Sequence, residues 1–253
     1  MRKLTSIYIL ILSTVFFSFT QEKNTGAWEI ASKEEVMTVS QKYSEWFLKN
    51  LNYKVDINYA SYSDHNSATA HDEFSGFYKR NNNNFHTLAM GVNTIQNEKM
   101  KLSIDTISRF IVLNNKIAID QSPVNTKDFS TLLDNAKSIK KQKTNTGEII
   151  YRSDFKPNAV YSAYEFKINS KGLLVLMKYY YSKELKDETP SGSIVKGKPR
   201  LEVSFNNYQT NVSFNYEKDF SEKKYLREEG KKIVLNNKYK NFELKDYRFS
   251  EKK

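Results

Sequence analysis

Apolar residues recur along this chain first with a helical period and then with period two, and the change falls near Tyr53. Val36, Val39, Tyr43, Trp46, Phe47 and Leu51 follow helical spacing, which predicts a helix over Lys33 to Asn50 with one apolar stripe. Ser32 and Glu35 stand at its start as an S-x-x-E capping box, the hydroxyl taking one orphan amide and the carboxylate returning to another. A helix apolar on one side must cover something, and the segments that follow supply a sheet.

From Tyr53 onward Val55, Ile57 and Tyr59 alternate with Lys54, Asp56 and Asn58. Further strands are predicted at Phe74 to Lys79, Phe85 to Val92, Lys99 to Asp105, Arg109 to Leu113 and Lys116 to Asp120. Short polar breaks separate them, so the expectation is an antiparallel meander rather than βαβ units. Phe129, Leu132, Leu133, Ala136 and Ile139 predict a second helix over Lys127 to Lys141, capped by Asn125 or Thr126 and followed by a polar linker, Gln142 to Gly147. Strands then resume through Val160, Tyr164, Phe166 and Ile168. A turn at Asn169 to Gly172 leads into Leu173 to Tyr181, which is apolar on both faces. Asp187 to Lys198 reads as a loop and Arg200 to Asn207 as a strand. Phe220, Ser221 and Tyr225 fit a hydrophobic staple around an N-cap, predicting a helical turn ended by Gly230. A last hairpin is expected from Lys231 to Leu235 and Tyr239 to Tyr247.

The fold class is therefore α+β and β-rich: a curved antiparallel sheet or half-open β-barrel, with two or three helices covering the concave face. Residues 21–253 are read as one domain, with 226–253 as an extension. Incomplete packing between helices and sheet would leave an apolar cavity.

Composition adds a location. Arg2 and Lys3 precede an apolar run from Leu4 to Phe19, and a fully polar stretch begins at Gln21. Residues 1–20 read as a cleavable signal peptide, too short an apolar run for a membrane span; the alternative is an uncleaved anchor. A periplasmic protein is expected, or a secreted one. The chain has no Cys, which excludes disulfides, thiolate metal sites and a Cys-linked lipid anchor. The formal charge is +11, of which Arg2 and Lys3 supply two. Outside the cytoplasm such a surface meets anionic membrane surfaces or acidic envelope proteins rather than nucleic acid. The densest cluster, Lys137, Lys140, Lys141 and Lys143, reads as a solvated face.

Candidate chemistry is thin. His65 and His71 flank a polar loop with Asp64, Asp72 and Glu73, but the spacing matches no metal-ligand pattern. His86 sits among strand residues and is placed on the polar face. There is no G-x-S-x-G, no G-x-G-x-x-G and no P-loop. No metal, no cofactor and no catalytic residue is therefore assigned. The 17 Tyr and 16 Phe fit strand and core packing better than a stacking groove.

Gly76-Phe77-Tyr78-Lys79-Arg80, followed by Phe85, resembles a strand of the periplasmic lipoprotein-carrier family (LolA/LolB-like), although Asn81 stands where that family often has Pro. Phe166 to Leu176 and Arg200 to Asn211 are similar to its later strands, so the likeness spans roughly Tyr53 to Tyr225. The resemblance implies a half-open barrel lidded by helices, whose cavity holds acyl chains of a lipid or lipoprotein in a monomeric, non-enzymatic carrier. Val55, Ile57, Phe85, Met90, Leu102, Ile104, Phe166, Val175 and Met177 would line that cavity. Arg80 would inherit the family's lid-holding arginine, or else be an exposed strand-end charge. Two rivals remain: an interaction component of an envelope or secretion assembly on the same fold, and a secreted hydrolase using His65, His71 or His86.

Overall fold

The computed structural model describes residues 26–117, 126–188, 194–230 and 232–248. The predicted signal peptide and the proposed cap Asn125 lie outside the described residues. Among these, no helix is long and apolar enough to cross a membrane.

After a two-residue strand β1 (Glu29–Ile30), helix α1 (Lys33–Lys49) forms where the period predicts it. Ser32 Oγ accepts from the Glu35 amide at 3.1 Å, as an N-cap should. The Glu35 carboxylate takes a different partner from the one expected. It accepts from Lys141 Nζ at 2.9 Å and from the Tyr151 hydroxyl at 3.0 Å, tying the first turn of α1 to the sheet below.

A meander follows: β2 (Asn52–Tyr62), β3 (Asp72–Asn81), β4 (Asn84–Ala89), β5 (Val92–Gln96), β6 (Lys101–Asp105) and β7 (Phe110–Asn114). The predicted strand Phe85 to Val92 is two strands. Met90 takes a left-handed φ of 45° beside Gly91 and turns the chain between them. Helix α2 (Thr126–Asp134) then leads into β8 (Ala136–Lys143), β9 (Ile149–Phe155), β10 (Tyr161–Ile168) and β11 (Leu174–Tyr181). The second helix thus stops at Asp134, not Lys141. Ala136 and Ile139 fit a helical stripe on paper, but the segment pairs with β9 along its length. A hairpin of β12 (Leu185–Glu188) and β13 (Ile194–Gly197) occupies the predicted loop.

Strand β14 (Arg200–Thr210) pairs antiparallel with β11 on one side and β2 on the other. The result is one thirteen-stranded, curved sheet that is not closed. Register shifts in β10, β8 and β14 are where the ladder bends. The remaining elements are a four-residue helix α3 (Tyr216–Asp219), a hairpin of β15 (Leu226–Glu229) and β16 (Lys232–Leu235), and β17 (Glu243–Asp246). β17 runs parallel to β7 at the sheet edge. The last hairpin is therefore shifted from its predicted place: it turns at Gly230, whose φ is +62°, and not at Asn236.

Two cores lie on opposite faces of this sheet. On the inner face, Val36, Tyr43 and Phe47 of α1 and Leu133 of α2 pack on Tyr53, Val55, Ile57, Tyr151, Tyr164, Phe166, Met177, Val203 and Phe205. Lys33 of α1 pairs with Asp134 of α2. Ile95, Leu102, Ile104, Ile111 and Leu113 face the other way, by strand alternation, and are covered by Tyr225, Leu226 and Tyr239. Residues 220–246 thus seal the outer face of the β5–β7 arm. Lys79 reaches Asp219 at 2.7 Å on that same face, so α3 lies outside rather than on the concave side.

Because Ile104 is fully buried under this cover, Ile104→Ala should lower stability by about 2–5 kcal/mol in urea unfolding. A change below about 0.5 kcal/mol would mean the segment is not packed as described.

Candidate functional site

A groove of about 420 Å³ opens on the inner face where α1 and α2 stop covering it. Its floor comes from four strands that the two halves of the sheet bring together. Ile57 and Tyr59 stand on β2, Leu201, Val203 and Phe205 on β14, Met177 and Tyr179 on β11, and Tyr161 on β10. Tyr78 of β3 with Thr87 and Ala89 of β4 form the far wall. No charged residue lines it, and the volume lies within the range of ordinary ligand sites, about 300–1,000 Å³.

The wall beside the groove contains a close backbone approach. Gly76 sits opposite Ile57 on the inner face, and a Cβ there would meet the Leu88 carbonyl oxygen at 2.1 Å. Only glycine fits so close an approach. The Leu88 carbonyl thus fills the space a side chain at Gly76 would take, and that backbone contact beside the groove is what requires glycine.

Arg80 is buried, not an exposed strand-end charge. Its guanidinium donates from Nη1 to the Phe47 carbonyl at 3.0 Å and from Nε to the Asn82 carbonyl at 3.0 Å. Phe47 lies in the last turn of α1, where carbonyls lack helical donors and the helix presents its negative end. Arg80 therefore fixes the C-terminal end of α1 to the sheet beside the groove. Tyr53 stacks on Tyr78 at 5.7 Å in the same region, and Tyr78 on Phe85 at 6.1 Å.

The residues expected to line a cavity are dispersed by the structure. Ile57 and Met177 line the groove. Val55 and Phe166 lie in the inner core next to it, and Phe85 is buried on the same face. Val175 is the extra residue at the β10–β11 register shift and stays half-buried. Met90 is at the β4–β5 turn, 52% exposed. Leu102 and Ile104 belong to the outer core, because period two in a strand does not say which face meets which partner. The lining that sequence reasoning missed is mostly tyrosine and β14, residues whose strand propensity explained them without a site.

The histidines are not gathered. His65 Nε2 lies 2.9 Å from the Tyr181 carbonyl oxygen, and His71 stands 3.7 Å from the Asp72 carboxylate. His86, placed on a polar face by the sequence, is buried on the outer side. Its Nε2 is 2.7 Å from Asn93 Oδ1, and Asn93 in turn donates to the Tyr225 hydroxyl at 2.7 Å. Among the described residues no three His, Cys, Asp or Glu are grouped to hold a metal.

No family model matches the chain, and no curated protein matches it. Solved structures do. A DUF1329 family protein from Desulfovibrio piger superposes with a TM-score of 0.31 at 8% identity, over 74% of this chain and 96% of that one. A domain of the outer membrane lipoprotein-sorting type from Vibrio parahaemolyticus gives 0.27 at 5% identity, over 71% and 93%. A LolA superfamily protein from Nitrosomonas europaea gives 0.26 at 9% identity, over 77% and 99%. Two of these carry the family description that Gly76 to Arg80 suggested. At such TM-scores the likenesses carry no argument of their own.

Two outcomes test this geometry. Arg80→Met removes the donor to two carbonyls and should cost about 1–3 kcal/mol for each left unpaired, with Arg80→Lys restoring little because a point charge cannot span both; an unchanged urea midpoint would refute the docking role. Burial, opposed by Asn93 and helped by Lys79, holds the His86 imidazole below its ordinary range. The folded state then binds fewer protons than the unfolded one, so stability falls as pH drops below about 6.5. His86→Gln should flatten that part of the pH profile.

Proposed function

We propose that this protein is an exported, non-enzymatic carrier or binding protein that holds acyl chains of a lipid or lipoprotein in the inner-face groove. The observation that carries the reading is the groove itself: apolar, uncharged, of ligand size, and open along one side. Burying an alkyl chain there needs only transfer from water, about 0.8 kcal/mol per CH₂. The site offers no nucleophile–base pair, and each histidine is engaged away from the groove. The periplasm as location rests on the segment 1–20 read as a signal peptide.

The interaction-component reading draws on a different observation. Phe74, Met90 and Val92 are exposed near the open side, a surface that a partner protein could cover.

Organic extraction and mass spectrometry of protein purified from its native envelope without detergent separates the two. An acylated species at about one per protein is expected, and Val203→Trp, which fills the floor, should reduce it about tenfold, the effect of about 1.4 kcal/mol of lost binding. Lipid-free wild-type protein that co-purifies with a stoichiometric partner would overturn the carrier reading in favour of the interaction component.

A further inference from the structure

The groove is long in one direction only. Its lining starts at Tyr161 of β10, passes through β11, β14, β2 and β3, and ends at Thr87 and Ala89 of β4, six strands that are consecutive neighbours in the sheet. Five inter-strand steps at about 4.8 Å make about 24 Å along the curved surface. Along the strands the groove is short. It takes three residues of β11 (Met177 to Tyr179), three of β2 (Ile57 to Tyr59) and, at its widest, five of β14 (Leu201 to Phe205). At about 3.3 Å per residue, that is about 7 Å on β11 and β2 and about 13 Å on β14.

A trough of these proportions suits one shape of ligand. An acyl chain of a bilayer spans half the hydrocarbon core, about 15 Å, so one chain laid across the strands fits end to end. Carbon atoms in contact lie about 4.0–4.5 Å apart, so on β2 and β11 the inward side chains at i and i+2 leave room between them for one row of methylenes. A second chain beside the first would be lifted off the floor, with its far side in water. No charged residue lines the trough to hold a head group, so the chain itself is what the site recognises. A lipid with two or three chains would leave all but one exposed and gain nothing from the extra hydrocarbon.

We propose that the groove takes one acyl chain at a time, lying across the strands between β10 and β4, and so selects single-chain amphiphiles over lipids with two or three chains. This rests on the acyl-binding reading above and adds the number of chains and their direction across the sheet. The ligand class is a monoacyl lipid.

The test is calorimetric titration of the full-length protein with lauroyl lysophosphatidylcholine and with diheptanoylphosphatidylcholine, each below its aggregation limit. The two share a head group and carry similar amounts of hydrocarbon, in one long chain or in two short ones. The single-chain lipid should bind about a hundredfold more tightly, because only one short chain of the other can be buried. Affinities within about tenfold of each other would overturn the one-chain assignment and leave acyl binding standing. Affinity should also rise from decanoyl through lauroyl to myristoyl lysophosphatidylcholine, since the trough is longer than each chain. A plateau at decanoyl is what a chain held along the strands would give, and it would overturn the crosswise placement. Val203→Trp, standing midway, should abolish the rise with chain length; a rise that persists in the folded variant would place the chain elsewhere and overturn the proposal. Binding of neither lipid class would overturn the carrier reading, and this one with it.

Discussion

Strand β14 holds this molecule together, because each half of the sheet is otherwise a local meander with its own turns. β14 pairs Leu201 and Val203 with Tyr179 and Met177 on one side, and Val203 and Phe205 with Tyr59 and Ile57 on the other. Those ladder bonds fix the distance between the halves at strand spacing, about 4.8 Å per step. The groove floor is made of the same residues, so the site exists only where the halves are joined. The inner core depends on the join as well, since α1 lies over Tyr53 and Val55 of one half while its Glu35 is held by Tyr151 and Lys141 of the other.

A sheet this wide presents more surface than two short helices can cover, and the chain divides the problem between the faces. The β8–β11 arm buries its inner side. Its outer side is a wet ladder of opposite charges: Arg152 with Glu165 at 2.6 Å, Lys178 with Glu202 at 2.9 Å, Lys140 with Asp154 at 3.3 Å. These half-buried pairs keep that face polar. The β5–β7 arm does the reverse. Its outer side is the apolar one, and residues 220–246 cover it. Its inner side mixes polar and apolar positions: Thr94 and Ser103 meet at 3.3 Å, and Val112 pairs with Ser103 in the same row.

Much of this was legible in the sequence. The capped helix α1 and the period-two meander follow from local chemistry, and so does the α+β class. The failures have physical reasons. Ala136 and Ile139 are spaced for a helix, yet the segment AKSIKKQK lies along β9 because pairing satisfies its backbone there. Ile149 to Phe155 was not read as a strand, though it alternates cleanly once the neighbour is known. Asp187 to Lys198 holds Pro190 and Gly192, strong loop signals, but strands β12 and β13 flank them. The site was half legible. Ile57 and Met177 are visible as inward apolar positions; Leu102 and Ile104 look identical in sequence and face the other way. Parity within a strand is local information, while the choice of face depends on residues more than a hundred positions later. The tyrosines that line the groove left no signal distinct from ordinary strand propensity.

The margins of the sheet have a consequence of another kind. An open half-barrel has two raw edges, each a row of unpaired amides and carbonyls able to recruit a neighbour's strand. Here β8 is hemmed by Glu29–Ile30 and β7 by Glu243–Asp246. The new borders are only two and four residues long and carry Glu29, Glu243, Lys245 and Asp246. Templating between molecules is thereby starved of length and repelled by charge. Polymerisation through the sheet margins is thereby disfavoured even at high protein concentration.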